Sequence, residues 1–499
     1  MPVSRERNES NIRTGITIYG ATSFVARHVL DYLAAVGPSL SRPIEVTLAG
    51  RNESKLTAVL EKFAPIMKEK GKNAVKLDVL VANSTDYTAL KKMAERSFVV
   101  LNCAGPFGLY SSGVVGACAE TGCDYVDITG EVDWAGQMRV KYGSAAAKSG
   151  ARIISLCGFD SVPSDMAIFA AVQALRQSSG SSESGSSVIL KVMSNKNEKD
   201  NNNKKSMAIE SARTWHECFG MAGGGTLATM KHMTVDIKHC LLTNEKKLRK
   251  VPLLLFDPLV LTNPERVRFN PDYEETRNRM AWSEWMNLLP FPHTILKQGV
   301  SIPFFMAVAN AKVVHASAIA LNYGPKFTYK ERFLPLGIDR TIAFGHFSTI
   351  PSLFVLGAIM MGGLMIKLPI IGDFILNFVA PPGSGASDKM CENGHAAVYA
   401  EVKAPLEGQP GQMACANAYM SFEGDPGNWV TAQTVTESAL SLLLQRKELP
   451  PRSKDGFGTP AELLGTVLLK RLTETKVRPV IVKTHVRMNE REHEYKIYK

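Results

Sequence analysis

Short apolar runs alternate with helix-length amphipathic stretches through the first third of the chain. Residues 15–20 read GITIYG, a strand-length run ending in glycine, and a helical pattern follows over about 23–36. EVTLAG (45–50) repeats the arrangement, with a second helical pattern over 54–70. AVKLDVL (74–80), FVVLNCAG (98–105), DYVDITG (124–130) and ARIISLCG (151–158) are further strand-like runs, again separated by helical patterns. Strand runs divided by helices of about 10–17 residues predict βαβ units and a parallel sheet, since parallel neighbours need a long crossover.

From Pro163 the pattern changes. A helix is predicted to Gln177, then a flexible low-complexity loop over 178–187 (SSGSSESGSS begins it), a strand VILKVMS at 188–194, and a polar loop at 195–205. Residues 207–345 read as mixed α/β. Residues 347–366, FSTIPSLFVLGAIMMGGLMI, carry no charge, and LPIIGDFILNFVAPP (368–382) continues after Lys367. At about 1.5 Å per residue such a helix is about 30 Å long, the thickness of a bilayer core. Pro351, Gly357, Gly362 and Gly363 would break it. Insertion into one lipid leaflet is the favoured reading, a buried core helix the next, and a true span the last. Thr459-Pro460-Ala461-Glu462 reads as a capping box with Pro at N1, opening a helix to about Leu472. The expected division is a polar tail (1–13), an α/β domain with a doubly wound parallel sheet (14–165), a second α+β domain (166–345), the apolar segment (346–382), and the remainder of the second domain with C-terminal helices (383–499).

Composition is that of a globular protein, 45% hydrophobic and 21% charged. The net charge of +11 favours anionic partners such as phosphorylated cofactors or acidic lipid surfaces. Nucleic acid is not expected, because no zinc-finger spacing, basic heptad array or aromatic RNA motif is present. Eight scattered cysteines form no CxxC pair and read as reduced thiols. The N-terminus MPVSRERNESNIR has no apolar secretory core and is too acidic and short for a transit peptide, so an intracellular protein is expected. No metal-ligand spacing and no GxSxG elbow appears.

The first strand runs into Gly20-Ala21-Thr22-Ser23-Phe24-Val25-Ala26-Arg27. A dinucleotide turn needs a glycine for the tight turn, a second for backbone approach to the pyrophosphate, and a third for close helix packing. Here Gly20 stands, Ser23 takes the second place and Ala26 the third; the Ser23 hydroxyl could itself bond a phosphate oxygen. At the first strand-to-helix turn of repeated βαβ units this indicates a Rossmann domain, or one that has lost its nucleotide. The second strand ends at Gly50-Arg51, where an NAD site would carry an acid. Arg51, with Lys55 one turn on, suits a 2′-phosphate and favours NADP(H). Asp78 is placed at the adenine edge, and Asn102, Ala104, Gly105 and Pro106 at the fourth strand's end, where the dinucleotide crosses. Cys103 reads as a buried small hydrophobe.

Hydride transfer needs one proton managed by the protein. The candidates are Asp127, Thr129, Glu131, Asp160, Ser161 and Asp165, at the ends of strands five and six. Capping competes as an explanation for Ser161, and a helix-dipole role for Glu131. Tyr87 and Lys91 have short-chain dehydrogenase spacing but follow the wrong strand, so they read as an ordinary helix face.

Several segments together resemble the saccharopine dehydrogenase-like family, which includes bacterial trans-acting enoyl reductases. GATSFVAR (20–27), Gly50-Arg51-Asn52, the run from Asn102 to Phe107, DYVDITGE (124–131) and CGFDSVPSD (157–165) carry the resemblance. GGGT (223–226), NYG (322–324), PPGSG (381–385), GDPG (424–427) and Thr-Pro-Ala (459–461) extend it over nearly the whole chain. Ser23, Val25 and Ala26 depart from the family's phosphate loop. The resemblance implies an NADP-binding N-terminal domain, a second domain closing over the nicotinamide, and lipid-related roles with lipid-droplet or membrane association for some members. The expectation is an NADP(H)-dependent oxidoreductase on a hydrophobic or lipid-linked substrate, held at a lipid-droplet or membrane surface through 347–382 and facing the cytosol, with a homodimer as one option. The alternative is a catalytically silent relative that binds lipid surfaces or proteins.

Overall fold

The computed structural model describes residues 13–69, 75–178, 207–220, 227, 257–263, 273–288, 293–294, 300–379, 384–406 and 408–491. The expected loops at 178–187 and 195–205 (Ser178 apart), the strand at 188–194 and the GGGT run at 223–226 lie outside these residues.

The first unit alternates as its apolar pattern requires. It runs β1 (Thr14–Tyr19), α1 (Phe24–Val36), β2 (Ile44–Gly50), α2 (Glu53–Glu69), β3 (Val75–Val81), α3 (Tyr87–Arg96), β4 (Ser97–Asn102), α4 (Phe107–Tyr110), α5 (Ser112–Thr121), β5 (Asp124–Asp127), α6 (Val132–Ser149), β6 (Ile153–Ile154) and α7 (Val162–Ser178). The six strands pair in parallel in the order β3-β2-β1-β4-β5-β6, the doubly wound dinucleotide-binding order. Ser23 and Asp86 cap α1 and α3 through their side chains, and Gly122 and Gly150 end α5 and α6 in left-handed conformations. β5 and β6 are shorter than their apolar runs. Past Asp127 and Ile154 the Asp127 side chain takes the Thr129 and Leu156 N–H groups, Cys157 N still donates to Asp127 O at 2.8 Å, and Leu156 takes a left-handed φ of 62°.

The second unit holds β7 (Ser211–Phe219), α8 (Tyr273–Leu288), β8 (His293–Thr294), β9 (Val300–Pro303), α9 (Ala307–Ala320), β10 (Thr328–Phe333), α10 (Ile338–Phe344), α11 (Thr349–Lys367), α12 (Pro369–Phe374), α13 (Asp388–Asn393), β11 (His395–Pro405) and β12 (Gln412–Glu423). The chain ends with α14 (Thr431–Leu444), α15 (Pro460–Leu463), α16 (Gly465–Glu474) and β13 (Ile481–Arg491). Its sheet runs β13-β12-β11-β7-β10-β9-β8, with β7 and β10 parallel and the other pairs antiparallel. α7 leaves the first sheet and lies across β11 and β12, so both sheets share one core.

Two sequence expectations change. The C-terminal helices do not stay with the second sheet: α14 packs on α1, β4 and β5 and completes one face of the first sheet. Its helical pattern could not show this, because residues 431–443 are buried all round and leave no polar stripe. The capping box is real, with Thr459 Oγ1 accepting from the Glu462 N–H at 3.2 Å, but the helix breaks at Leu464 and resumes at Gly465, whose φ is 48°.

The apolar segment forms a helix and is not a core helix. Phe347 is 82% exposed, Phe354 78% and Ile370 84%, while Leu356 and Ile366 are among its few buried side chains.

One buried ionic knot fastens the C-terminal helices to α1. Glu437 Oε1 accepts from the Tyr32 hydroxyl at 2.5 Å and Glu437 Oε2 from Arg471 Nε at 2.6 Å. Removing only the cation leaves a carboxylate stranded in the core. Arg471→Met is therefore expected to lower unfolding free energy by about 3–5 kcal/mol, and adding Glu437→Leu to recover much of it. Urea denaturation of both variants checks this; equal losses in the two would contradict it.

Candidate cofactor and active site

The loops after β1 and β4 meet at the carboxyl edge of the first sheet. Gly20 has φ 75°, and a Cβ there would lie 2.8–2.9 Å from the backbone and Cβ of Ala104. Glycine is needed on both counts, for conformation and for space. The Gly20 and Ala21 N–H groups both donate to Ala49 O, and Cys103 N donates to Tyr19 O at 2.8 Å, which pins three strand ends together. Ser23 does not disturb the turn. Its Oγ accepts from Ala26 N at 3.2 Å, so it serves as the N-cap of α1. Phe24 and Val25 open the helix, and their N–H groups have no acceptor among the described residues. Thr22 is exposed beside them, while the Val25 side chain packs into the core. Thr22, Ser23, Phe24, Val25, Ala104, Gly105 and Pro106 thus gather at one edge, as expected.

Arg51 and Lys55 are exposed just past β2, where Lys55 N donates to Asn52 Oδ1 at 2.9 Å. Arg51 faces the buried Tyr19 hydroxyl, as does Ser84 after β3. Two expectations fail here. Asp78 does not reach the edge: it pairs with Thr47 in mid-strand, three residues below the Gly50–Val81 pair, and ion-pairs with Arg96 at 3.5 Å. Asn102 is fully buried under the edge. Its amide donates to Ser111 Oγ and the Tyr125 hydroxyl, and its Oδ1 accepts from Ala104 N at 2.9 Å, so it braces the loop and is no contact for a dinucleotide. Cys103 is buried, and burial raises its thiol pKa.

The acidic candidates separate by their partners. Asp127 accepts from Thr129 N, Leu156 N and Ser155 Oγ, tying the ends of β5 and β6. Glu131 accepts from Phe107 N at 2.8 Å and Gly108 N at 2.9 Å, so it steadies the chain after Pro106 and not its own helix. Thr129 Oγ1 accepts from Glu131 N. Asp165 accepts from Ser317 Oγ at 2.5 Å and Ala461 N at 2.8 Å, joining α7, α9 and α15 in the core. Ser161 is no side-chain cap, since its Oγ donates to Asn310 Oδ1 at 3.1 Å. Asp160 differs from them all. Its carboxylate has no hydrogen-bond partner among the described residues, and it lies 3.7 Å from the point a Cβ on Gly130 would occupy. Burial raises Asp127 and Asp160 to about 6 and Asp165 to about 7.

The second unit closes over this edge with groups that no local pattern marked. Met306 Cε lies 3.8 Å from the same point at Gly130. Behind Ser161, Glu331 Oε1 accepts from Asn310 Nδ2 at 2.8 Å and Ser164 Oγ at 3.0 Å, and pairs with His216 Nε2 at 2.8 Å. At the phosphate loop, Gly385 sits so close to the Phe24 ring that a Cβ would lie 2.1 Å from it, and Arg27 meets Asp388 at 3.1 Å. Of these, PPGSG and the serines of CGFDSVPSD carried a sequence signal; Met306, Asn310, Glu331 and His216 lie in elements whose own patterns do not point to this edge.

The saccharopine dehydrogenase NADP binding domain family matches residues 16–154. Residues 16–154 are a saccharopine dehydrogenase NADP-binding domain. Around it the whole chain is similar to a trans-acting enoyl reductase of Mycobacterium ulcerans, 28% identical over 93% of this chain and 96% of that one. It is also similar to a lipid droplet localized protein of Caenorhabditis elegans, 37% identical over 31% of this chain and 35% of that one. Apo saccharopine dehydrogenase (L-Glu forming) from Saccharomyces cerevisiae, 12% identical, covers 95% of this chain and 100% of its own with a TM-score of 0.45.

NADP(H) is the cofactor that the matched domain family binds, and the residues present fit it. The pyrophosphate would meet the N–H groups of Phe24 and Val25 at the positive end of α1, beside the tight turn that Gly20 makes against Ala104. Arg51 and Lys55 would supply charge for a 2′-phosphate. Ala104, Gly105 and Gly130 keep the path along the NADP-binding edge free of bulk.

Asp165 gives a test of how the core treats its acids. Its folded pKa of about 7 lies above the ordinary 3.8, so the neutral acid is the form that folding favours. That contribution is complete below the ordinary value and is lost as pH rises through about 7. Asp165→Asn should flatten this loss: between about pH 5 and about pH 8 the melting temperature of the variant falls less than that of the native protein. Parallel curves would show that Asp165 does not titrate in this range.

Proposed function

We propose that this NADP(H)-dependent oxidoreductase acts on a hydrophobic, lipid-linked substrate while seated on a lipid-droplet or membrane surface that faces the cytosol. The observation that carries the reading is α11. Eighteen of its nineteen residues, Thr349–Ile366, have a mean hydropathy of 2.0, yet only 17% of that stretch is buried. A face of that size left in water marks a contact surface for lipid or another apolar body. Phe347 just before it, Ile350 and Phe354 on it, and Ile370 and Phe378 after it are all exposed. The lipid-droplet localisation in the name of the Caenorhabditis elegans relative supports the same reading.

In the reaction, bound NADP(H) supplies or accepts the hydride. The protein has to seat the reacting group at Gly130, exclude water and move one proton. Asp160 is the residue we assign to the proton, because its carboxyl stands at the edge without a hydrogen-bond partner among the described residues, and burial raises its pKa to about 6, close to neutral pH. Asp127 and Glu131 hold the two loops around it and are positioning residues. Asn310 and Glu331 anchor Ser161 and Ser164 on either side of the turn into α7.

Titration with NADPH and NADH, read by nicotinamide fluorescence, tests the cofactor half. NADPH is expected to bind with a Kd on the order of micromolar and NADH more weakly. Arg51→Ala should weaken NADPH by about 10- to 100-fold, the value of a charge-assisted contact, and leave NADH little changed. No binding of either cofactor would favour the catalytically silent alternative, a surface-binding relative.

Co-flotation with phosphatidylcholine vesicles tests the surface half. The native protein should float with the vesicles, and Ile350→Ser with Phe354→Ser should stay below while still binding NADPH. Equal flotation of both proteins would remove α11 from the contact.

A further inference from the structure

The exposed face of α11 connects to the cofactor edge through an apolar strip. Leu356 of α11 belongs to one buried cluster with Ile302, Phe304, Ala307 and Phe333, and Val355 packs against it. Met306 packs against that cluster too. It also packs against the separate cluster on the first sheet that holds Phe107 and Trp134. The Met306 methyl then ends 3.8 Å from the Gly130 position, with the Asp160 carboxylate 3.7 Å from the same point. From outside inwards the order is exposed Phe354, then Val355 and Leu356, then Phe304, then Met306, then a carboxyl group.

We propose that an acyl chain of the substrate lies along this strip, from the lipid-facing side of α11 over the exposed Phe305, whose ring packs on Phe304, and the half-buried Met306, with its reacting polar end at Gly130 and Asp160. The inference rests on the oxidoreductase reading above and names the direction from which its substrate arrives. An amphiphile fits the order of residues: apolar tail against apolar side chains, polar head against the carboxyl. A chain drawn from a lipid leaflet keeps apolar contact along the way, so its transfer to the site need not expose it to water. Met306 suits the narrow point, since an unbranched thioether has rotamers enough to move aside. A small polar substrate would use none of this strip.

The test uses the full-length protein with NADPH and phosphatidylcholine vesicles containing a phosphatidylcholine whose acyl chain carries a diazirine. After irradiation, labelled peptides are mapped by mass spectrometry. Labels are expected at two places, on the exposed side chains of 347–378 and on 304–306 with the Gly130 or Asp160 peptides. Labels confined to 347–378 would overturn the acyl path and leave the surface contact standing. No label anywhere would overturn both, whereas failure of NADPH to bind would strike the oxidoreductase reading alone. Met306→Trp fills the strip and should abolish labelling of the Gly130 and Asp160 peptides, with flotation unchanged. Unchanged labelling there would place the acyl chain elsewhere. If this variant does not fold, the native map decides.

Discussion

The arrangement of the whole molecule follows from the burial of α7 between two sheets. Every residue from Val162 to Leu175 except Gln173 is buried, and Met166, Phe169 and Val172 share one cluster with strands of both units. A helix enclosed in this way cannot slide without opening voids on two sides, and close-packed interiors resist that. The turn at its start therefore carries Asp160 and Ser161 to a fixed place against α9. The active edge is built where the chain leaves one sheet for the other.

Several acids in this core are held by specific partners. Glu437 meets Tyr32 and Arg471, Asp165 meets Ser317 and the Ala461 N–H, and Glu331 meets Asn310, Ser164 and His216. Leaving any one of them unpartnered would cost more than the pair contributes. The contact at the phosphate loop is of another order. Arg27 and Asp388 are 42% and 75% exposed, and a solvated pair of this kind is worth about 0–1 kcal/mol. The two units are thus locked at α7 and only lightly fastened over the pyrophosphate position, where a dinucleotide has to come and go.

The sequence was legible where chemistry and local pattern coincide. Gly20 at the end of an apolar run and Arg51 at the end of the next both stand at the carboxyl edge, because a βαβ repeat fixes where strand ends fall. Asp78 was misplaced because an acid in a strand carries no mark of its distance from the edge; the register with Thr47 decides it. Ser23 looked like damage to the phosphate loop, and only the cap to Ala26 shows how a hydroxyl is accommodated there. Asn310, Glu331 and His216 come from three distant elements, so only the tertiary fold brings them together. The return of α14 to the first sheet was hidden for the same reason, across some three hundred residues of chain from β5.

The exposed face of α11 has a consequence for the history of the chain before it reaches any lipid. Phe347, Ile350 and Phe354 cannot all hide within one copy, and in plain water such faces seek one another. At high concentration two copies would meet through this face, so the fraction of dispersed protein would fall as its concentration rises.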